Sequence, residues 1–210
     1  METGRLENRR QRTANSKLPT ADEMKPPHDR QPGSAGKQLR RKTETRRFQR
    51  QWAEAYNGRS LKLLLQDWTD PYNVGGLFRV ADACGAGEVL LTGRTPAPPD
   101  PQIAVTSLGH HRRVKWRHFD RHDDALKALK DEGFQLVAVE VAENAVHYRD
   151  FAYSEKVCLI LGNEVKGVYP NVLKACDAAV LIPMAGKGRS INVHVAAAVV
   201  AFEVLLSDRA

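Results

Sequence analysis

The sequence is poor in the features that mark secreted, metal-binding and membrane-spanning proteins. It has three cysteines, Cys84, Cys158 and Cys176, which lie far apart in apolar surroundings and form no CxxC pair. This pattern favours small buried side chains in a reducing compartment over a disulfide framework or a metal site. No run of about 18 apolar residues exists, and the charged start METGRLENRRQR lacks the apolar core of a secretion signal. We therefore expect a cytoplasmic protein without membrane association and without a metal.

Acidic residues are scarce near the N-terminus, and the positive charge of the chain is concentrated there. Residues 1–50 contain 14 Lys and Arg against 6 Asp and Glu, a net charge of +8, whereas the remaining 160 residues carry 18 and 19, a net charge of −1. The first segment also has few large apolar residues, so it cannot bury enough surface to fold alone. We predict a basic, largely disordered and flexible arm over residues 1–50, whose last part can form a helix between residues 37 and 56.

Two interpretations of this arm remain. It is either a solubilising tail or an arm that attracts phosphate groups by counterion release. The scarcity of acidic residues between positions 37 and 50 favours the second interpretation.

Residues 51–210 alternate between short apolar segments and helical patterns, which is typical of an α/β domain. The periodicity predicts strands over 61–68, 88–93, 114–119, 134–141, 156–162 and 178–184, and helices over 74–87, 120–133, after Pro170 and over 191–206. Two of the strands, 134–141 and 156–162, are nearly all apolar, as in a parallel sheet covered on both faces. Four prolines make the segment 94–102 irregular in this prediction. The expected fold is a three-layer α/β domain with a mostly parallel sheet.

The segment LIPMAGKGRSINVHVAAAVV, residues 181–200, joins two apolar elements through a polar, glycine-rich loop. The loop lacks the GxxxxGK[ST] pattern of a Walker A motif, and CGAGEV at 84–89 precedes a strand where a dinucleotide-binding GxGxxG precedes a helix. Ser190 and Asn192 are credible caps for the helix that follows. Because that helix is apolar all round, we expect it to be buried on every side, partly against a second subunit.

The loop DPYNVGGLFR, residues 70–79, follows the first predicted strand, at a position where α/β sheets bind ligands. Asn73 is a good helix cap, and Gly75 and Gly76 are expected to allow close approach of a phosphate or ribose. From the residues alone, Asn73 is either a plain helix cap or a site residue. Arg79 is either a site residue or an ion-pair partner of Asp82.

A second polar loop, LGNEVKGV at 161–168, begins directly after an apolar strand. Glu164 lies at the edge of the sheet where ligands collect. It is either a cap for the next turn or a ligand contact.

Three segments together, NVGGLFRVADACGAGEV, LILGNEVKGV and IPMAGKGRSINVHVAAAVVAFEVL, resemble in order and spacing the motifs of the TrmH-type subgroup of SPOUT RNA 2′-O-ribose methyltransferases. The resemblance covers about residues 60–207. It implies an α/β sheet whose C-terminal part is tied in a deep trefoil knot, a rare exception to the rule against knots. It also implies S-adenosylmethionine as cofactor and a homodimer. His194 stands where many bacterial members have serine, and NVHV is more similar to the eukaryotic tRNA-modifying branch.

The same resemblance implies roles for individual residues. The implied catalytic residues are Asn73, Arg79, Glu164, Ser190 and Asn192. The implied cofactor contacts, largely through backbone groups, are Leu161, Gly162, Ile182, Met184, Gly186, Ser190 and Ile191, with Glu140 lining the adenosine pocket. The expected RNA contacts are Arg79 and, on the basic arm, Arg40, Arg41, Lys42, Arg46 and Arg47.

The family mechanism gives Arg79 the role of base, helped by the target phosphate. A guanidinium has a pKa above about 12, so we expect Arg79 to grip the phosphate beside the target ribose and orient the 2′-hydroxyl. The expected activity is 2′-O-methylation of a ribose in structured RNA, with a D-loop guanosine of tRNA first and ribosomal RNA second. A knotted RNA-binding protein without catalysis and a nucleotide-binding α/β enzyme without RNA are the competing hypotheses. The intact polar positions argue against the former, and the basic arm argues against the latter.

Overall fold

The computed structural model describes residues 41–53 and 59–206, and the chain divides into two units, residues 1–57 and 58–210. In the first unit, helix α1 spans Lys42–Ala53, inside the segment for which the sequence predicts a basic helix. Its charged side chains at Lys42, Arg46 and Arg47 are exposed, as is Arg41. Arg40 and the predicted disordered arm before it lie outside the described residues.

The second unit is built on one sheet of seven strands. The strands are β1 (Ser60–Gln66), β2 (Glu88–Thr92), β3 (Trp116–Phe119), β4 (Gln135–Val139), β5 (Val146–His147), β6 (Lys156–Leu161) and β7 (Ala178–Leu181). Their order in the sheet is β3-β2-β1-β6-β4-β7-β5, and all neighbouring strands are parallel. The predicted α/β class and parallel sheet are therefore confirmed.

Five helices and one 3₁₀ turn accompany the sheet. They are α2 (Pro71–Cys84), α3 (Pro101–Ser107), the 3₁₀ turn His110–Arg112, α4 (His122–Asp131), α5 (Pro170–Ala175) and α6 (Val193–Leu206). Two apolar clusters show that the helices cover both faces: α2, α3 and α6 pack in one cluster, and α4 and α5 pack in the other. Within the described part of the chain, no helix has the length and apolar character needed to cross a membrane.

Two elements were not expected from the sequence. Helix α3 begins at Pro101, where a proline suits the first helical turn because its fixed φ and missing N–H cost nothing there. The side chain of Asp100 caps it by accepting a hydrogen bond of 2.8 Å from the backbone N–H of Gln102. The predicted irregularity of 94–102 is therefore wrong at its last two residues. Strand β5 has only two residues, too few for a periodic signal.

The start of α2 differs from the prediction. Its N-cap is Asp70, whose carboxylate accepts from the N–H of Tyr72 at 2.8 Å, whereas Asn73 lies inside the first turn. A Cβ on Gly75 would overlap the side chain of Thr106 on α3, and a Cβ on Gly76 would press on the ring of His194 on α6. These two glycines therefore allow helices to pack closely, and the expected approach of a phosphate or ribose at this position stays a prediction.

Helix α6 is buried on one face only within a single chain. Ala197, Val200, Ala201 and Val204 are fully buried, but Val195, Phe202 and Leu206 are 43%, 38% and 48% exposed. The exposed positions are seven and four residues apart, so they share one face of the helix. The predicted burial of this face against a second subunit stays a prediction.

The end of β1 anchors the loop that follows β6. Gln66 is fully buried; its amide donates to the carbonyl of Gly167 at 3.3 Å and accepts from the N–H of Tyr169 at 2.9 Å. Asp67 follows with a φ of 51°, in the left-handed region. Its carbonyl accepts from the amide of Asn163, and its carboxylate accepts from the Tyr169 hydroxyl at 3.0 Å. The loop 162–169 is therefore held in place by the last residue of β1 and by the residue that follows it.

Asp67 makes this anchor dependent on pH. Burial alone raises the pKa of its carboxyl, but hydrogen bonds from the Arg94 N–H and the Tyr169 hydroxyl outweigh burial and lower the pKa below the ordinary 3.8. The ionised form thus stabilises the fold above pH 3.8, and this contribution is lost as the pH falls through the lower native pKa.

We predict that Asp67→Asn lowers the free energy of unfolding by about 1–3 kcal/mol at pH 7. The difference from wild type should shrink when the pH is taken below the native pKa, because the wild-type carboxyl is then protonated. Urea denaturation at pH 7 and at low pH measures both values. An equal difference at the two pH values would show that the charge on Asp67 does not stabilise the fold.

Candidate active site

Four segments meet at one edge of the sheet around a cavity of about 570 Å³. Three of these segments are the loops after β4, β6 and β7, the fourth is the first turn of α2, which follows β1, and this edge carries the carboxyl ends of the strands, where open α/β sheets bind ligands. Nine of the residues singled out in the sequence lie on its walls: Asn73, Glu140, Gly162, Glu164, Ile182, Met184, Ser190, Ile191 and Asn192. The fold therefore brings all three sequence motifs to one place.

Three of the other predicted residues do not line the cavity. Leu161 is buried at the end of β6, directly before Gly162. Gly186 is exposed in the loop after β7. Arg79 is exposed on α2, and in the described part of the chain it forms no hydrogen bond or ion pair. Its alternative partner, Asp82, instead lies 2.7 Å from a ring nitrogen of His110.

A row of three side chains joins the motifs along the wall of the cavity. The Nδ2 of Asn192 donates to the Oδ1 of Asn73 at 2.9 Å, and the Nδ2 of Asn73 donates to the Oε1 of Glu164 at 3.3 Å. Asn73 is only 8% exposed. Because the carboxylate of Glu164 can only accept and the carbonyl end of Asn192 is occupied elsewhere, the direction of each hydrogen bond is determined.

Glu164 has a further role at the beginning of α2. Its carboxylate accepts from the backbone N–H groups of Thr69, at 3.1 Å, and of Asp70, at 3.2 Å. A negative charge at this position is favoured by the positive end of the helix dipole. Glu164 therefore ties the loop after β6 to the loop after β1.

Asn192 is also the N-cap of α6. Its Oδ1 accepts from the N–H of His194 at 3.0 Å, and its carbonyl accepts from the N–H groups of Val195 and Ala196. The cap predicted for Asn192 is thus present. Burial lowers the pKa of His194, and its Nδ1 lies 3.3 Å from the Oδ1 of Asn73, so a neutral ring protonated at Nδ1 can donate to that oxygen.

Glu140, the residue after β4, supports the cavity from the side opposite to β1. One carboxylate oxygen accepts from the N–H of Val168 at 2.7 Å, and the other accepts from its neighbour Val141 at 2.8 Å. A Cβ on Gly167, which has a φ of 67°, would overlap this carboxylate. The glycine is therefore required both by the backbone conformation and by the space that Glu140 occupies.

Apolar side chains are exposed around the cavity mouth. Val141, Val165, Met184 and Ile191 line it and are 70%, 88%, 39% and 37% exposed. Ligand sites in proteins combine such apolar walls with a few oriented polar groups. The cavity thus offers an apolar surface for a flat ring system beside the polar row Asn192–Asn73–Glu164.

Sequence reasoning missed several residues that build the site. Asn163, Lys166 and Arg189 line the cavity, and Gln66 and Asp67 anchor its loop from outside. A polar Gln-Asp pair at the end of the apolar strand β1 was the available signal. A similar polar pair, Asn163 and Glu164, follows β6, and there only Glu164 was singled out.

The cysteines take no part in the site. Cys84 and Cys158 are buried and Cys176 is partly buried, as their apolar surroundings predicted. Burial raises the pKa of Cys84 to about 11 and that of Cys176 to about 12, so these thiols remain protonated at neutral pH. In residues 41–53 and 59–206, no group of three His, Cys, Asp or Glu side chains is placed to hold a metal ion.

Comparison with known proteins gives consistent matches. A tRNA (guanosine(18)-2′-O)-methyltransferase of Thermus thermophilus is 34% identical over 166 residues, which are 79% of this chain and 84% of the relative. The fold matches the TrmH/SpoU tRNA modifying enzyme of A. aeolicus with a TM-score of 0.64 and 26% identity, covering 78% of this chain and 82% of that chain.

A second solved structure contains a cofactor. The SpoU methyltransferase AviRb from Streptomyces viridochromogenes, in complex with AdoMet, matches with a TM-score of 0.66 and 25% identity. The match covers 71% of this chain and 58% of AviRb, so the chain spans little more than half of that protein. The model of the SpoU rRNA Methylase family matches residues 60–202, which include the first two motifs, all but the last three residues of the third, and the whole cavity wall. The chain belongs to the SpoU rRNA methylase family.

Proposed function

We propose that this protein transfers a methyl group from S-adenosylmethionine to the 2′-hydroxyl of a ribose in structured RNA, with tRNA as the preferred substrate. The observation that carries the proposal is the row Asn192–Asn73–Glu164, in which one residue from each motif meets the others on the wall of a single cavity. Family membership supports the reaction class. The relative that methylates guanosine 18 of tRNA supports tRNA over ribosomal RNA, and a D-loop guanosine as the target.

The cavity fits S-adenosylmethionine in size and chemistry. Its volume of about 570 Å³ lies within the range of roughly 300–1,000 Å³ for small-molecule sites. Ile182, Met184 and Ile191 would contact the adenine, and Glu140 and Gly162 would present polar groups to the ribose and the amino acid part. When bound, the cofactor supplies a methyl group activated by a positively charged sulfur.

The chain's own residues then have to position the RNA. Arg79 lies six residues beyond Asn73, about 9 Å farther along α2 and on a different face of the helix. An exposed guanidinium at this distance suits a phosphate next to the target ribose, which it would hold in a bidentate manner. Holding the phosphate orients the 2′-hydroxyl, and an oxygen of that phosphate accepts the hydroxyl proton when the methyl group is transferred. Ser190 lies on the cavity wall and would contact the substrate there.

The basic arm supplies further RNA contacts in this proposal. Arg41, Lys42, Arg46 and Arg47 are exposed on or beside α1, and such a series of cations binds phosphates by releasing counterions. Arg40, which lies outside the described residues, belongs to the same basic run in the sequence. We also propose that the protein acts in the cytoplasm, where its three thiols remain reduced.

A homodimer and a trefoil knot complete the proposal. The open apolar face of α6, formed by Val195, Val199, Phe202 and Leu206, supports a second copy of the chain packed against it. The knot is the family architecture in which the loops after β6 and β7 come to lie against each other. Both loops line the same cavity in this chain.

The function is tested by incubating the protein with methyl-labelled S-adenosylmethionine and an unmodified tRNA transcript, followed by nuclease mapping. We expect label on the 2′-oxygen of one nucleotide, a guanosine of the D loop. Cofactor binding measured by calorimetry accompanies the assay. Binding without transfer to tRNA or ribosomal RNA would support a knotted RNA-binding protein and contradict the proposed enzyme.

Arg79→Ala should lower kcat/KM for the RNA by about 100-fold or more, because the target ribose is no longer positioned. The Kd for S-adenosylmethionine should stay the same, since Arg79 does not line the cavity. Arg79→Lys is the matched control. It keeps the positive charge but cannot bind the phosphate in a bidentate manner, so its activity should fall between those of the wild type and the alanine variant. Wild-type methylation by the alanine variant would remove Arg79 from the mechanism.

Phe202→Asp should convert the dimer to a monomer of 23.4 kDa, because a charge on the open face of α6 opposes its burial. Sedimentation velocity measures the mass, and circular dichroism checks the fold. Val105→Asp is the control, since Val105 is also exposed and apolar but lies on α3. If both variants remain dimeric, the interface lies elsewhere.

A further inference from the structure

A second cavity, of about 740 Å³, lies beside the edge strand β3 and shares no lining residue with the candidate active site. We call it the basic groove. Its walls are Glu88, Pro98, Pro99, Ala104 and the run His111–Trp116. The run has the sequence HRRVKW, in which three of the six residues carry a permanent positive charge.

The positive charge of the basic groove is largely uncompensated. Arg112, Arg113 and Lys115 are exposed, and Arg112 and Lys115 form no ion pair with any other residue in the described ranges. Among the lining residues the one carboxylate is Glu88, which is already bound by the Lys62 ammonium at 2.7 Å and by the Arg117 guanidinium at 2.7 Å. The groove therefore presents a net positive surface, although residues 51–210 as a whole carry a net charge of −1.

The basic groove is connected to Arg79 through α2. Asp82 lies one helical turn beyond Arg79, so the two side chains are neighbours on the surface of the helix. Asp82 also contacts His110 at 2.7 Å and Arg113 at 3.3 Å. These contacts fix the start of the HRRVKW run next to the C-terminal half of α2. A strand of RNA held at Arg79 can thus continue over Asp82 into the groove.

The wall of the basic groove also contains an aromatic surface. Trp116 is half-buried and lines the groove together with Pro98 and Pro99. Cations that follow a backbone, combined with an aromatic ring on which a base can stack, are the usual elements of a surface for unpaired RNA. An acidic protein partner would be bound by the cations alone and would not require an aromatic ring.

We propose that the basic groove is a second contact surface for the RNA substrate, which holds the phosphate backbone of a segment flanking the methylated nucleotide. This inference rests on the proposed function, because Arg79 is the point from which the RNA reaches the groove. Arg112 and Lys115 contact phosphates, and Trp116 stacks on an unpaired base. Removing the two cations should weaken RNA binding without affecting the cofactor cavity.

The test compares two double variants that each remove two positive charges. Arg112→Ala with Lys115→Ala changes the basic groove. Lys130→Ala with Lys174→Ala removes two exposed lysines from α4 and α5, on the other face of the sheet. The probe is an unmodified tRNA transcript, and its Kd is measured by fluorescence anisotropy between 50 and 200 mM salt. Methyl transfer kinetics and the Kd for S-adenosylmethionine are measured for the same proteins.

For the groove variant we expect the slope of log Kd against log salt to decrease by about 1–2, which corresponds to one or two lost phosphate contacts. KM for the tRNA should rise about tenfold, while kcat and the cofactor Kd stay at wild-type values. The lysine control should match wild type throughout. Equal affinity and slope for wild type and the groove variant, or an equal loss in both double variants, would overturn the inference. If wild type itself neither binds nor methylates the tRNA, the proposed function fails, which is a separate and recognisable outcome.

Discussion

The candidate site depends on one buried amide. Asn73 is held between the amide of Asn192 and the carboxylate of Glu164, and each contact comes from a distant part of the sequence. A buried amide that loses its partners costs about 1–3 kcal/mol. The helix α2, the loop after β6 and the beginning of α6 therefore cannot separate without a penalty. This constraint keeps three irregular segments in register on one cavity.

The loops themselves need help from polar side chains because they contain little regular structure. Gln66 and Asp67 hold the loop 162–169 from one side, and Glu140 holds it from the other. Each of these residues stands at or just beyond the carboxyl end of a parallel strand, so the sheet determines their positions. A cavity built in this way is formed before a ligand arrives, which lowers the ordering cost of binding. Several polar residues at this edge thus serve as supports, and fewer are left to contact substrate.

The charged side chains of the domain form ion pairs in one region of the sheet and are largely unpaired in the neighbouring region. The sheet edge β1–β2–β3 contains a compensated cluster in which Glu88 and Glu132 pair with Lys62 and Arg117. In the neighbouring run at 112–115, Arg113 pairs with Asp82, whereas Arg112 and Lys115 have no ion-pair partner among the described residues. A domain that is nearly neutral overall can therefore still present a local positive surface beside the helix that carries the exposed guanidinium of Arg79.

The sequence by itself determined the α/β class, the positions of most strands and helices, and the three polar loops. It did so because apolar runs, helical periodicity and polar residues after strands are local signals. Tertiary structure alone decided that Asp70 and not Asn73 caps α2, and that Gly75 and Gly76 serve the packing of α3 and α6.

Tertiary structure also decided which face of α6 stays open and where Arg79 lies relative to the cavity. The short strand β5 and the helix α3 could not be predicted from the sequence. Two residues give no periodicity, and the proline-rich segment gives no helical signal although a helix begins at its last proline. In each case the deciding contact joins residues far apart in the chain. Only the folded backbone brings such residues within van der Waals or hydrogen-bond distance, and no local pattern encodes that proximity.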